Sequence, residues 1–424
     1  MIGDVLRNTW SIFLGLIFLM LGNGLQGTLI GWRATFEGFS AGMTGWIITG
    51  YSIGFLVGSV ITARLVRSVG HIRVFAALAS LASAAILVQI LWISVEVWFL
   101  MRVVTGVCFA GAYVIVESWL NARSTDQSRG RVLSIYMIMN AIGMAGGQWL
   151  MRVADPADFD LFVVASIMLS LALVPVLISR IRAPEIEFHR EIGFMALIAN
   201  SPVGSMTLFV AAMAHTALFG MGAVYAKRAG FSVNEITLFM SGFILLSALL
   251  QWPMGWLSDR MDRRIAIAVS AAIVVLTSLL LGLVEFSNLV ITGVFSVLGA
   301  FSLALYPLAV ALTNDRLEPD QMVGAGATIA LIFGTGAILG PAGMGYMLEW
   351  FGSAGFYLHL GAVHMAILLV ALVFIHLQPA VPQAEQSHYP AVPARATPVV
   401  MEAIAQEAEG AQLAEGAASE TTTA

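Results

Sequence analysis

Twelve apolar runs, separated by short polar stretches, leave this chain few possible folds. A bilayer core roughly 30 Å thick is crossed by a helix of about 20 apolar residues. Hydrophobic residues occupy 59% of the 424 positions and charged residues 11%, against roughly 45–50% apolar content in soluble domains. A water-soluble fold could not cover that much apolar surface. The runs are also too long and continuous for the alternating strands of a membrane barrel, so the backbone must satisfy its hydrogen bonds within helices. The spans are expected at residues 9–31, 43–65, 73–94, 97–120, 132–153, 159–180, 203–226, 235–257, 265–284, 289–312, 323–348 and 355–377. The first run follows a lone basic residue, Arg7, without a small-residue cleavage site, and reads as a retained span. Cys108 is the only cysteine, which excludes an intrachain disulfide.

The spans divide into two halves. Residues 1–181 read as an N-terminal six-helix bundle, 182–202 as a polar cytoplasmic linker and 203–377 as a C-terminal six-helix bundle. Residues 378–424, rich in Ala, Pro, Glu and Thr, read as a disordered cytoplasmic tail. Placing both termini in the cytoplasm puts 15 of the 20 Lys and Arg residues on the inner side, as the positive-inside rule requires.

The halves repeat in sequence. At an offset of 192, Phe39-Ser40 falls on Phe231-Ser232 and Gly50 on Gly242; past the third span the offset becomes 193. Gly106 then matches Gly299, Tyr113 matches Tyr306, and Gly143 and Gly147 match Gly336 and Gly340. Six helices duplicated is the plan of transporters that bind their substrate near the midplane, between the halves.

Several motifs carry a resemblance. "GWLSDRMDRR" (255–264) resembles the cytoplasmic loop signature of the major facilitator superfamily, with Asp262 in place of its usual second glycine. "RVVTGVCFA" (102–110) resembles that family's fourth-helix signature. "VESWLN" (116–121), "RGR" (129–131), "QWPMGWLSDR" (251–260) and "LYPLA" (305–309) look like its YcaD-like bacterial branch. The resemblance covers the chain up to the tail and implies an all-α membrane protein of twelve transmembrane helices in two pseudo-symmetric bundles. One departure weakens a drug/proton antiporter reading: Gln148 follows Gly147 where antiporters carry proline, and Gly-Pro stands instead at Gly340-Pro341.

Polar residues inside spans are costly and mark cavities or interhelical contacts. Asn23, Gln26, Asn140, Gln148, His215 and Gln251 come from spans that the resemblance makes cavity-lining, and are candidate substrate contacts. Arg102 has two readings: snorkelling to the interface or, by resemblance, binding substrate or tuning a proton site. Tyr306-Pro307 is expected to break the tenth helix, and Tyr306 is a further candidate substrate contact. Trp32 and Trp98 read as interface anchors. His359 and His364, on the last span, read as packing or interfacial residues.

A second set reads as a gate. Gly255, Asp259 and Arg260 end the eighth span on the cytoplasmic face, and the resemblance implies that this span packs against the fifth, which starts at Arg129 and Arg131. Asp259 is expected to latch onto that positive helix N-terminus when the cytoplasmic side closes. The matching position in the first half is Arg67, and its expected partners, Glu318 or Asp320, reverse the charge pattern. Glu117, about 22 Å along its helix from Arg102, is expected to pair with Arg131 or Arg64.

The chain therefore reads as a secondary transporter of a small organic solute, in a bacterial inner membrane, acting as a monomer and needing no cofactor. Protons are a candidate coupling partner, with Glu117 and His215 the titratable groups. Facilitated diffusion of a sugar-like solute is the rival, and a solute-sensing receptor is a third reading. No Gly-x-x-x-x-Gly-Lys loop calls for ATP. No catalytic cluster lies in the spans, and nothing suggests nucleic-acid binding.

Overall fold

The computed structural model describes residues 2–124, 128–179, 193–317, 319–383, 386 and 389. Twelve long helices order them: α1 (Ile2–Phe36), α2 (Ala41–Val69), α3 (His71–Leu91), α4 (Val95–Ala122), α5 (Arg129–Trp149) and α6 (Asp160–Ile178) in the first half. The second half holds α7 (Pro202–Arg228), α8 (Val233–Ser258), α9 (Arg263–Leu283), α10 (Asn288–Asn314), α11 (Pro319–Phe351) and α12 (Ser353–Leu377). Eleven are long and apolar enough to cross a bilayer. The exception, α5, is diluted by Asn140, Gln148 and four glycines. Of the expected linker, 182–192 lies outside the described residues, and Phe194–Asn200 forms a short helix.

The internal repeat is a repeat of contacts. Within the halves α1 packs on α5 as α7 packs on α11, and α2 on α4 as α8 on α10. The matched Ser40 and Ser232 both cap the helices they precede, accepting from Met43 N at 3.2 Å and Glu235 N at 3.3 Å, contacts worth about 1 kcal/mol each. Gly147 lies against the Leu21 carbonyl of α1, and its counterpart Gly340 against the Met213 carbonyl of α7, too close for any side chain. Such small residues let helices approach where no hydrophobic effect drives them together.

Two pseudo-equivalent seams join the halves, α2 against α11 and α5 against α8, with α1 against α7 between them. Corresponding residues meet at one end of each seam. Gly45 lies against the Pro341 carbonyl, and Thr237, the counterpart of Gly45, donates to the carbonyl of Gln148, the counterpart of Pro341, at 3.4 Å.

Three expectations are corrected. Helix α10 continues through Pro307, because buried neighbours relieve a proline that would break an exposed helix. Trp98 is fully buried and donates to the Gln89 carbonyl at 2.7 Å, and Trp32 is buried beneath Lys227, so neither anchors an interface. In the first residues of the tail, Arg316 donates to the Pro379 carbonyl at 3.4 Å, and the Tyr389 amide to Asp259 at 3.1 Å.

Candidate functional site

A cavity of about 620 Å³ lies between the halves, walled mainly by α5 and α8. The stripe Met137, Asn140 and Met144 of α5 faces the stripe Ile244, Ser247, Gln251 and Gly255 of α8. Phe219 of α7 and Leu303 of α10 close the back, while Asp259, Arg260 and Tyr389 stand at the mouth. The cavity thus reaches the face that carries Asp259. A second, small cavity of about 30 Å³ lies deeper, lined by Asn23, Tyr51, Arg102, Gln148 and Thr216 among others. Met144 and Phe219 border both cavities. They form an apolar septum between them.

The predicted binding residues divide around this septum. Asn140 and Gln251 line the large cavity from opposite halves. Asn23, Gln148 and Arg102 line the small one. Arg102 is buried, with its guanidinium 4.5 Å from the centre of the Tyr51 ring, so it does not snorkel. Gln148 is held by Thr28 and by the Gly24 carbonyl. The other three expected contacts line neither cavity. Gln26 turns into the first half and donates to Gln89 at 3.4 Å. His215 sits 3.4 Å from the Ser302 carbonyl, whose hydroxyl is 3.0 Å from His364 Nε2, so the two histidines belong to one polar chain inside the second half. Tyr306 packs edge-on against Phe333 beside His215. These helices are apolar on nearly every side and so carry no polar face by which sequence alone could orient these residues.

The two ends of the seams differ. On the face opposite Asp259, Glu349 of α11 accepts from the Gly42 amide at 2.9 Å and the Ser40 hydroxyl at 3.1 Å. Trp46 donates to Tyr346 at 3.0 Å, and Thr49 to the Ile338 carbonyl at 3.1 Å. This carboxylate sits at the positive end of α2, where an anion is favoured. Glu349 was missing from the sequence expectations, although its place at the end of α11 near the α2 cap was readable.

On the Asp259 face, the charged loop ties helix ends together. Asp259 pairs with Arg263 at 3.2 Å, and Arg263 with the buried Asp315 of α10 at 3.1 Å. Arg264 bonds the carbonyls of Phe374 and Gln378 at the end of α12. Asp262 caps α9 through the Arg264 amide. Burial alone would raise the Asp262 carboxyl, but hydrogen bonds from Arg264 hold it below the ordinary range. Arg260 stacks on Trp256, 4.2 Å from the ring centre. In this conformation Asp259 holds Arg263 and Tyr389, and the expected contact with the start of α5 is not made. Gly255 leaves room for the Tyr389 ring; a Cβ there would lie 2.7 Å from it. Burial pushes the Tyr389 phenol well above the ordinary range, with Arg263 opposing and Asp259 adding to the shift. It therefore stays neutral at the mouth.

The remaining gate residues fall elsewhere. Glu117 is buried and accepts from the Tyr136 hydroxyl at 2.6 Å, while Arg64 and Arg131, its expected partners, are exposed. Arg129 shares a small cavity with Glu117 and donates to Asn121 at 3.3 Å. Arg67 is exposed at the end of α2; Glu318 and the side chain of Asp320 lie outside the described residues.

The comparisons agree with this architecture. The profile of the Major Facilitator Superfamily matches residues 12–234 and 204–407. The uncharacterized MFS-type transporter YcaD of Escherichia fergusonii is 26% identical over 369 residues, covering 86% of this chain and 95% of that protein. An uncharacterized MFS-type transporter of Enterobacter sp. is 26% identical with the same coverage. Among solved structures, the nucleoside transporter NupG superposes with a TM-score of 0.72 at 13% identity, covering 88% of this chain and 98% of that one. The D-xylose-proton symporter superposes at 0.68 and 13%, covering 88% and 99%. These structural likenesses establish the fold, and with the profile match they make the chain a membrane transporter of the major facilitator superfamily.

Proposed function

We propose that this protein moves a small organic solute across the bacterial inner membrane by alternating access, as a monomer with both termini in the cytoplasm. The observation that carries this reading is the cavity between the halves, reaching the Asp259 face while Glu349 seals the opposite end of the α2–α11 seam. The 15 basic residues that the sequence assigns to the cytoplasmic side support the orientation. Asn140 and Gln251 are the polar contacts in the large cavity, and Asn23, Arg102 and Gln148 await the solute beyond the septum.

One observation favours facilitated diffusion over proton coupling. The charged residues lining the large cavity, Asp259 and Arg260, both stand at its mouth. Glu117 lies away from it, in contact with Tyr136, and serves as a structural group.

Reciprocal accessibility tests the reading. In a Cys108→Ala background, Ser247→Cys reports the large cavity and Thr49→Cys the sealed α2–α11 seam. A shift in population should raise labelling of one and lower the other. Labelling that never trades off between the two would end the alternating-access reading.

A further inference from the structure

The internal repeat allows the two seams to be compared residue by residue. In the α2–α11 seam, Leu56 fills the space over Gly334, its Cδ1 2.7 Å from where a glycine Cβ would stand. The repeat places Ala248 at the position of Leu56 and Ala141 at that of Gly334. Both alanines line the large cavity. Where one seam is plugged by a leucine, the other has two methyl groups and a gap.

The rim of that gap faces the bilayer. Ala248, Trp252 and Trp256 follow one another at helical spacing on α8, with Ser134, Ile138 and Ala141 opposite on α5, and all six line the cavity. Yet Trp252 is 79% exposed, Ile138 53% and Trp256 52%. Such residues are walls of the cavity and also part of the outer surface of the helices. Trp252 lies six residues before Ser258, the end of α8, roughly 9 Å along the helix. Helix α8 is about 39 Å long and overhangs a core of roughly 30 Å, so this part of the rim lies inside the hydrocarbon. At the water-facing end, Tyr389 covers Gly255 and bonds Asp259.

The lining has the same bias. Methionine, isoleucine, phenylalanine, leucine, tryptophan and alanine supply ten of its eighteen residues, and Asn140 and Gln251 add carboxamides from opposite halves. Apolar pockets of 300–1,000 Å³ with a few placed polar groups suit ligands of drug-like size. Carboxamides both donate and accept, which fits an uncharged hydrogen-bonding head.

We propose that the cavity takes an uncharged amphiphile, with an apolar body and a hydrogen-bonding head held by Asn140 and Gln251, and that it enters from the bilayer through the slit between α5 and α8. This rests on the transport reading above and names its substrate class and route.

The test uses the full chain with Cys108→Ala and Ser247→Cys in liposomes. Pyrene maleimide, which partitions into the bilayer, should label Ser247→Cys about tenfold faster than a charged sulfonate methanethiosulfonate added to the water. Ala248→Leu, which copies the plugged seam, should slow the pyrene reagent several-fold and leave the charged one unchanged. Monododecanoylglycerol should protect against labelling, glucose and uridine at equal concentration should not, and Gln251→Leu should abolish the protection. Faster labelling by the charged reagent, indifferent to Ala248→Leu, would overturn the lateral route. Protection by glucose or uridine without protection by monododecanoylglycerol would overturn the substrate class. Either result, with reciprocal labelling of Ser247→Cys and Thr49→Cys intact, defeats this proposal and leaves alternating access standing.

Discussion

Glu349 reaches from α11 to the first turn of α2 and accepts the Gly42 amide at 2.9 Å, so one half of the protein caps a helix of the other. The contact exists only while the seam is closed on that face. A ligand or contact present in one state alone biases the equilibrium by its own free energy. It is the counterpart, at the opposite end, of the latch expected for Asp259.

Glu349→Gln should therefore weaken closure of the α2–α11 seam. Interactions of this type contribute about 0.3–1 kcal/mol, so the population should shift a few-fold. Labelling of Thr49→Cys should rise and that of Ser247→Cys fall. Unchanged ratios would reduce Glu349 to an ordinary surface carboxylate.

Tyr389→Ala should open the water-facing mouth of the large cavity. A charged thiol reagent should then reach Ser247→Cys faster from the Asp259 side, while the pyrene reagent is unaffected. Equal acceleration of both reagents would point to a general loosening of α8 instead of a removed cover.

Phe219→Ala should breach the septum between the two cavities. Asn23→Cys, shielded behind Met144 and Phe219, should become reactive from the Asp259 side. If Asn23→Cys stays silent in a folded Phe219→Ala protein, Met144 alone divides the cavities.

Tyr136→Phe removes the hydroxyl that serves buried Glu117. Leaving a buried acceptor short of a donor costs about 1–3 kcal/mol, and thermal stability should fall accordingly. Glu117→Gln should lower stability as well, without altering the shape of any pH profile of transport. A stable Glu117→Gln protein whose transport ignores the proton gradient would make Glu117 a coupling residue.

Arg263 offers the sharpest stability test. Its guanidinium is fully buried against Asp315, and breaking such a pair costs about 3–5 kcal/mol by leaving an uncompensated charge. Arg263→Ala should fail to accumulate in the membrane. Joint replacement of Arg263 and Asp315 by apolar residues should recover part of the loss.

The spans and the duplication were legible because each rests on a one-dimensional signal: a run of apolar residues, or a register held between matched glycines. Gly147 and Gly340 showed the register before their shared task, accommodating a neighbouring carbonyl, was visible. Asn140 and Gln251 were legible as cavity residues through their rarity in apolar spans. Gln26 and His215 are equally rare, yet they satisfy partners inside a single half. Rarity marks a buried polar group without telling which side of a helix it occupies. Tyr389 could not be found at all, since its meaning comes from the missing side chain at Gly255, more than a hundred residues earlier.

That pairing of Gly255 with Tyr389 bears on how the protein is handled at the bench. A chain trimmed after Gln378 for crystallisation, or a tag fused close behind residue 389, would change the very surface by which water meets the cavity. Transport rates from such versions would describe an uncorked protein, and should be calibrated against the full-length chain before any solute is ranked.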